Sequence, residues 1–276
     1  MDTTENELQA LRKELDDFRN ENILLYNELT KQNKTLCEQI ITLRNELANH
    51  HALIDKEIKS YGGESKFDNV DKYLNRLAGM QTAEFIVKNM PKVRAFDDRE
   101  SYLKYVLEQV DDSNGGQYIE FGVFKGKSIN FISALKPDKI IYGFDSFEGL
   151  PETWWQENKF PKGHFTLNGK LPPVNRNVRL IKGWFNETLP AFVKEHPEPC
   201  AFIHLDCDLY SSSKTVFAEL KNQIVPGTII AFDDYYDYPG WQEGEYKAFM
   251  EFIAETNLEF EYIARTNSIR VAVRIK

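Results

Sequence analysis

The sequence predicts an α/β protein with a doubly wound, mostly parallel sheet of seven strands, preceded by an N-terminal α-helical coiled coil. Two observations predict the sheet: short apolar segments alternate with helical patterns after residue 113, and acidic residues directly follow several of these segments. The third observation predicts the coiled coil, because residues 5–49 lack proline and glycine and carry apolar residues at heptad spacing. We therefore divide the chain into a coiled-coil helix (1–60), a helical cap (66–112) and an α/β domain (113–276).

The composition limits the classes of partner. With 276 residues, 42% of them hydrophobic, the chain can bury one α/β core and still carry an appendage. A net charge of −9 disfavours nucleic acid and anionic membranes as partners, and no segment is apolar enough for a signal peptide or a membrane span. The three cysteines, Cys37, Cys200 and Cys207, are scattered, as is typical of reducing compartments. We expect a cytoplasmic protein.

The heptad pattern of the N-terminal segment predicts a homodimer or a higher oligomer. Leu8, Leu15, Leu29, Leu36 and Leu43 occupy the a positions, while Leu11, Phe18 and Leu25 occupy the d positions. Asn22 falls at an a position, where a buried amide favours two parallel helices. A single amphipathic helix packed on the following domain remains the alternative. Gly62 and Gly63 end the pattern.

Two further helices are predicted between the glycine pair and the sheet, over residues 69–90 and 98–110. Apolar residues recur at helical spacing in the first of them, among them Val70, Leu77 and Met80. We expect these side chains to lie in the core, where the helix would pack against the edge of the sheet or over the cofactor site.

The stretch from Tyr118 to Ser128 predicts a buried strand, a glycine turn and a helix that ends at Leu135. Its pattern E-x-G-x-x-x-G lacks one glycine of the dinucleotide fingerprint, and its loop is one residue too short for a P-loop. It matches the glutamate-containing loop of class I methyltransferases, which binds S-adenosylmethionine. A turn without a ligand is the alternative. The predicted cofactor contacts in this loop are Glu120, Phe121, Gly122, Val123, Gly126 and Ser128.

Two later strand ends extend this predicted cofactor site. Asp145 follows the apolar segment 139–144 at the position expected of a ribose-binding carboxylate, and Ser146 is next to it. Gly183 and Trp184 follow the strand predicted over residues 178–181, where an adenine-binding loop is expected. A simple turn with a packed indole remains the alternative for these two residues.

Pairs of acids follow the strands predicted at 201–205 and 228–232. These pairs are Asp206 with Asp208 and Asp233 with Asp234. Because the strand ends of a parallel sheet meet at one edge, the carboxylates would repel each other unless a cation joined them, and oxygen ligands favour Mg²⁺. A role as helix N-cap is the alternative for Asp208. Segments 258–263 and 269–273 are predicted to form a closing antiparallel pair.

Five segments in this order resemble the macrocin O-methyltransferase family of metal-dependent sugar methyltransferases. They are residues 120–123, 145–151, 182–185, 204–212 and 233–235. The resemblance covers residues from about 118 onward and implies a methyltransferase domain, S-adenosylmethionine, Mg²⁺ and a sugar or glycan hydroxyl as acceptor. By position it places the metal ligands at Asp206, Asp233 and Asp234, with Asp206 also the catalytic base and a cofactor contact. Cys207 stands where the family has a smaller residue, and the N-terminal helix lies outside the resemblance.

Two other functions remain open. One is methyl transfer to a catechol-like or other diol, because metal chelation suits both acceptors. The other is a coiled-coil tether whose methyltransferase-like domain binds ligands without catalysis. If the enzyme interpretation holds, the divalent cation lowers the pKa of the acceptor hydroxyl, Asp206 takes its proton, and the methyl group is transferred directly.

Residues 151–176 predict a long aromatic loop, which we interpret as a lid over the acceptor. Trp154 or Trp155 would offer a flat face to a sugar ring, and Trp241 would border the same pocket. A loop packed permanently on the core is the alternative. His164 is a weak candidate for a base, whereas His204 lies in a predicted buried strand and is expected to be packed or hydrogen-bonded.

Overall fold

The computed structural model describes residues 70–112, 115–154 and 160–276, together with single positions between 13 and 50. These single positions are helical, and the predicted heptad residues among them are exposed, namely Phe18, Leu25, Leu29, Leu36 and Leu43. Leu8, Leu11 and Leu15 of the predicted coiled coil, and the glycine pair after it, lie outside the described residues.

The chain divides into two units, Met1–Asp68 and Asn69–Lys276. The second unit alternates helices and strands. Its elements are α1 (Val70–Asn89), β1 (Arg94–Phe96), α2 (Arg99–Glu108), β2 (Gln117–Phe121), α3 (Lys127–Leu135), β3 (Ile141–Asp145), β4 (Val178–Lys182), α4 (Phe185–Glu195), β5 (Cys200–Leu205), α5 (Tyr210–Glu219), β6 (Ile229–Phe232), a 3₁₀ turn (Trp241–Glu243), α6 (Glu245–Thr256), β7 (Phe260–Thr266) and β8 (Val271–Ile275).

These strands form one sheet in the order β1-β7-β8-β6-β5-β2-β3-β4. Strand β8 is antiparallel to both of its neighbours, and all other neighbouring strands are parallel. The predicted doubly wound, mostly parallel sheet is confirmed. It has eight strands rather than the predicted seven, because the three-residue strand β1 pairs with β7 at the edge. A strand of three residues is too short to show the alternation of apolar and polar residues that predicts a strand.

Alternate residues of the central strands enter two separate cores, as the pleat of a strand requires. Ile119, Ile203 and Phe232 pack on one face with side chains of α4, α5 and α6. Tyr118 and Phe202 point to the other face and pack with side chains of α2 and α3. The sheet is therefore covered on both sides, and only its strand ends remain available for a ligand.

Helix α1 presents a different face to the core than the sequence predicted. Val70, Leu77 and Met80 are exposed, whereas the small side chains of Ala78 and Thr82 are buried. The Thr82 hydroxyl accepts a hydrogen bond of 2.9 Å from the backbone N–H of Asp237. The prediction of a core role was wrong for these three larger side chains, because small residues face the loop after β6, whereas the predicted Phe85 does pack against the core.

Among the helices that the structure describes, none combines the length and the apolar character needed to cross a bilayer.

Candidate active site

A cavity of about 730 Å³ opens at the carboxyl ends of five neighbouring strands. Each strand contributes a lining residue immediately after its last position or at its end: Gly122 after β2, Asp145 at the end of β3, Gly183 after β4, Asp206 after β5 and Asp233 after β6. Its volume lies in the range of small-molecule sites, roughly 300–1,000 Å³. One space therefore contains both the predicted cofactor loop and the predicted acid cluster.

Gly122 joins these two parts of the site. Its φ of 90° lies in the left-handed region, and a Cβ at this position would overlap the carbonyl oxygen of Asp206. The backbone N–H of Asp206 in turn donates 2.9 Å to the carbonyl of Phe121. Glycine is therefore required here because two strand ends touch, in addition to any approach of a ligand.

Asp145 holds the glycine loop in place with both of its carboxylate oxygens. Oδ2 accepts the backbone N–H of Phe124 at 2.7 Å, and Oδ1 accepts that of Phe147 at 2.6 Å. A carboxylate has about four acceptor sites, so Asp145 retains capacity for the two hydroxyls of a ribose. Ser146, Gly183 and Trp184 also line the cavity, as predicted for the cofactor side.

Glu120 does not face the cavity, and neither does Phe121, since both side chains are fully buried behind its wall. The Ser128 hydroxyl donates 2.9 Å to Oε1 of Glu120, and Nδ1 of His204 lies 2.9 Å from Oε2. Both oxygens therefore have partners within the protein, and the fully buried side chain does not reach the cavity. This geometry corrects the prediction that Glu120 contacts the cofactor directly, whereas Gly122, Val123 and Ser128 do line the cavity.

Arg99, at the start of α2, is a cation inside the acid cluster. Its Nη2 lies 2.5 Å from Oδ2 of Asp206 and 3.0 Å from Oδ1 of Asp233. Arg270 makes a bidentate contact with Asp233, at 2.7 Å through Nε and 3.1 Å through Nη2. Neither arginine was predicted as a site residue, because each lies far from its partner in sequence and no local pattern marks the pairing.

Three cationic groups surround Asp233. Burial would raise its pKa, but His204, Arg99 and Arg270 together hold the pKa of this carboxyl well below its usual range. Nε2 of His204 lies 3.8 Å from Oδ1 of Asp233, which is an ion-pair distance rather than a hydrogen bond. Burial lowers the pKa of His204, but the neighbouring carboxylates of Asp233 and Glu120 outweigh burial and raise that pKa to about 9.

The other acids of the cluster have fewer cationic neighbours than Asp233, and their pKa values are raised. Burial and the charge of Asp233 raise the pKa of Asp206 to about 7, even though Arg99 opposes this shift. Burial and mutual repulsion raise the pKa values of Asp208 and Asp234 well above the usual range of a carboxyl. These three carboxyls therefore tend to retain their protons unless a cation joins them.

Two sets of side chains bring their ligand atoms within 4.8 Å of one another in the described part of the chain. One set is His204, Asp206 and Asp233, in which Nδ1 of His204 already contacts Glu120 and the Asp233 carboxylate is already paired with two arginines. The other set is Asp206, Asp208 and Asp234, which offers oxygens alone and suits a hard divalent cation. The geometry thus favours Asp208 over the predicted Asp233, whose oxygens are engaged by arginines.

The loop after β3 forms the aromatic wall of the cavity. Trp154 and Phe165 line the cavity, and Trp154 stacks on Phe160 with ring centroids 5.0 Å apart. His164 is exposed and packs against Phe165 rather than facing the acids. Trp155 lies outside the described residues.

Trp241 is buried against Phe85 and Tyr246, with ring centroids 5.2 and 5.0 Å away. This packing corrects its predicted place at the acceptor pocket. An aromatic side chain in a loop beside acids proved to be part of the core.

The family model described as a methyltransferase domain matches residues 119–235. These residues are therefore similar to a methyltransferase domain. The match begins in β2 and ends just after Asp233 and Asp234, so it includes the glycine loop, Asp145 and the acid cluster.

A curated relative of this chain is 8-demethyl-8-(2,3-dimethoxy-alpha-L-rhamnosyl)-tetracenomycin-C 4'-O-methyltransferase from Streptomyces olivaceus. It is 30% identical over 155 residues, which cover 48% of this chain. The match spans 58% of the length of that relative. The name of that relative describes methyl transfer to an oxygen of a rhamnosyl compound. The predicted resemblance to sugar O-methyltransferases is confirmed.

Solved methyltransferase structures share the fold of this domain. The calicheamicin methyltransferase CalS11 superposes with a TM-score of 0.51 at 22% identity, covering 77% of this chain and 97% of that chain. The O-methyltransferase NovP has a TM-score of 0.46 at 22% identity, covering 64% and 78% of the two chains. The likeness to CalS11 agrees with the class I, Rossmann-like fold predicted from the sequence.

Proposed function

We propose that this protein is an S-adenosylmethionine-dependent O-methyltransferase that acts on a hydroxyl of a sugar or glycan, with Mg²⁺ as a second cofactor. The observation that carries the proposal is the single cavity that joins the Gly122–Gly126 loop and Asp145 to the carboxylate cluster. A methyl donor and an acceptor hydroxyl must meet within one water-poor space for direct transfer. The relative that methylates a rhamnosyl compound supports the choice of acceptor class.

The donor would lie on the side of the cavity formed by the glycine loop. Asp145 has acceptor capacity for ribose hydroxyls, and Trp184 offers an indole face next to Gly183. Gly126 caps α3 in a left-handed conformation, with φ 78°, and leaves the first N–H groups of that helix unpaired by any side-chain cap. Glu120 and Phe121 would support this loop from behind rather than touch the donor.

Asp206 would accept the proton of the attacking hydroxyl. One of its oxygens is held by Arg99, while the side chain remains 22% exposed and lines the cavity. A base whose pKa is about 7 matches a reaction near neutral pH. Trp154 and Phe165 would cover the acceptor and exclude water.

A divalent cation would fit Asp206, Asp208 and Asp234, because their ligand oxygens lie within 4.8 Å of one another and the set contains no nitrogen ligand. When bound, Mg²⁺ supplies a positive charge that lowers the pKa of a nearby hydroxyl. Asp233, which the family resemblance assigns to the metal, would instead organise the cluster through Arg99, Arg270 and His204.

The test supplies isotopically labelled S-adenosylmethionine to the purified protein with a panel of sugars and glycans, with and without EDTA. Label on a sugar oxygen, lost with EDTA and restored by Mg²⁺, is the expected result. Transfer to catechols alone would overturn the acceptor class, and donor binding without transfer to any acceptor would favour a non-catalytic role. Methyl transfer that persists in EDTA would overturn the proposed dependence on Mg²⁺.

We further propose that the protein is a cytoplasmic homodimer or higher oligomer assembled through its N-terminal helix. The described positions of that helix expose apolar heptad residues, including Leu25, Leu29 and Leu36, and a paired seam would cover them. Light scattering on the whole chain and on a chain beginning near residue 65 tests the assembly. Equal oligomeric states of the two proteins would overturn it.

A further inference from the structure

Glu245, the first residue of α6, is a fully buried carboxylate between the two acid-bearing strand ends. Its Oε1 accepts the backbone N–H of Cys207 at 3.3 Å, and its Oε2 accepts the backbone N–H of Asp234 at 3.4 Å. The Cys207 thiol also donates to Oε1, at 3.8 Å. One side chain is therefore bonded both to the segment after β5 and to the segment after β6.

The two strand ends need such a bridge because the backbone hydrogen bonds between β5 and β6 stop before the segments that carry the acids. The last backbone hydrogen bond between β5 and β6 is donated by Asp233 to the carbonyl of Leu205, at 2.8 Å. Beyond it, the N–H of Asp206 donates to the carbonyl of Phe121, and the N–H of Tyr235 donates to the carbonyl of Ile269. The segments that carry Asp206, Asp208 and Asp234 thus diverge towards opposite neighbours, and Glu245 connects them.

A carboxylate is an expensive side chain at this position. Burial and the nearby charges of Asp234 and Asp206 raise the pKa of Glu245 well above the usual range of a carboxyl, because its ionised form loses hydration and is repelled. What it provides is a pair of acceptor oxygens for two backbone donors. Glutamine has the same shape but offers one acceptor oxygen and one NH₂ donor, which would face a backbone N–H.

We propose that Glu245 is a positioning residue: it fixes the separation of Asp206, Asp208 and Asp234 and thereby sets the affinity of the site for a divalent cation. This inference rests on the cation of the proposed function. Glu245 does not line the cavity, so it acts through the backbone of the two strand ends and not through contact with the acceptor. Groups that orient metal ligands typically change metal affinity about 10- to 100-fold when altered.

The experiment measures binding of Mn²⁺, the probe cation, to the full chain by electron paramagnetic resonance, with S-adenosylmethionine binding and circular dichroism as controls for folding. Glu245→Gln removes one acceptor, and Glu245→Asp keeps the carboxyl group on a side chain one carbon shorter. Both variants should bind Mn²⁺ about 10- to 100-fold more weakly than the parent chain. The matched control is Glu251→Gln on the same helix, whose carboxylate accepts from Tyr210 at 2.8 Å; it should bind Mn²⁺ normally.

The aspartate variant separates the position of the carboxyl group from its chemistry. Normal Mn²⁺ affinity in Glu245→Asp, with weaker binding in Glu245→Gln alone, would show that a carboxyl group suffices wherever its oxygens lie, and would overturn the inference. Normal affinity in both variants would overturn it while leaving the cation site intact, whereas a parent chain that binds no Mn²⁺ would overturn the proposed cation as well. If the Glu245 variants do not fold, hydrogen exchange of the parent chain replaces them: the Cys207 and Asp234 N–H groups, which donate to Glu245, should be protected, and rapid exchange of both would overturn the inference.

Discussion

Nδ1 of His204 lies 2.9 Å from Oε2 of Glu120, and both side chains are completely buried in the middle of the sheet. The two residues stand directly opposite each other on the paired parallel strands β2 and β5. Because Glu120 also accepts from Ser128 and His204 approaches Asp233, this pair connects the cofactor loop with the acid cluster. A change in the protonation of His204 would therefore affect both Glu120, behind the glycine loop, and Asp233, in the acid cluster.

Stability should fall as the pH rises from about 6.5 to 9. Burial lowers the pKa of His204, but Asp233 and Glu120 raise it from 6.5 to about 9. A raised folded-state pKa contributes stability that is complete below the unfolded value of 6.5 and is lost as the pH passes 9. Urea unfolding in EDTA across this range measures the effect. His204→Gln should be less stable at low pH with a flatter profile, and parallel profiles would contradict the prediction.

Divalent-cation binding should release protons and tighten as the pH rises through about 7. Burial and neighbouring charge raise the pKa of Asp206 to about 7 and those of Asp208 and Asp234 further above their usual range. Protons therefore compete with the cation for these oxygens. Calorimetry in two buffers of different ionisation enthalpy measures the protons released. Affinity independent of pH, with no proton release, would show that the cation binds elsewhere.

Arg99→Gln should strengthen Mn²⁺ binding by roughly tenfold, because it removes a positive charge 2.5 Å from Asp206. Arg179→Gln is the matched control, since Arg179 is exposed and donates to the backbone carbonyl of Arg176. Isothermal titration of both variants gives the comparison. Weaker binding in Arg99→Gln would indicate that the arginine organises the carboxylates rather than competing with the cation.

Asp206→Asn should lower methyl transfer about 10²- to 10⁴-fold while S-adenosylmethionine still binds, because the amide cannot take up the proton of the acceptor hydroxyl. Initial rates and donor binding are measured on the same preparation. Asp138→Asn is the control, as Asp138 is exposed in the turn after α3. A fully active Asp206→Asn protein would show that Asp206 does not accept the proton of the acceptor hydroxyl.

Gly122→Ala should destabilise the fold more than Gly227→Ala, although both glycines have similar positive φ angles of 90° and 99°. A Cβ at Gly227 meets nothing within 4 Å, so this change costs only the left-handed strain of about 1–2 kcal/mol. At Gly122 the added collision with the Asp206 backbone costs about 1–3 kcal/mol more. Urea unfolding gives both free energies. Equal losses would mean that the strand ends separate easily.

The sequence predicted those parts of the fold that depend on local periodicity. The order of strands and helices around Gly122 and Asp206 followed from alternating apolar segments and the residues that end them. Strand β1 was missed because three residues carry no period. Helix α6 was missed although Ala248, Phe249 and Phe252 are buried at helical spacing and could have indicated it.

The candidate site was predictable where chemistry follows directly after a strand, as it does for Asp145 and Asp206. It was not predictable where two distant residues meet, since Arg99 and Arg270 approach Asp233 only through the tertiary fold. Glu120 was misplaced for the same reason: its partner His204 lies on a strand 84 positions away. Pattern alone cannot tell a carboxylate that faces a ligand from one that faces a buried imidazole.

The absence of a side chain at Gly122 lets the main chain of the glycine loop touch the main chain that carries Asp206. Any larger residue at this position would have to move the two strand ends apart. Under the proposed function, the spacing between the methyl donor and the base is therefore set by backbone contact, whereas the aromatic loop that lines the other wall of the cavity is not subject to this constraint.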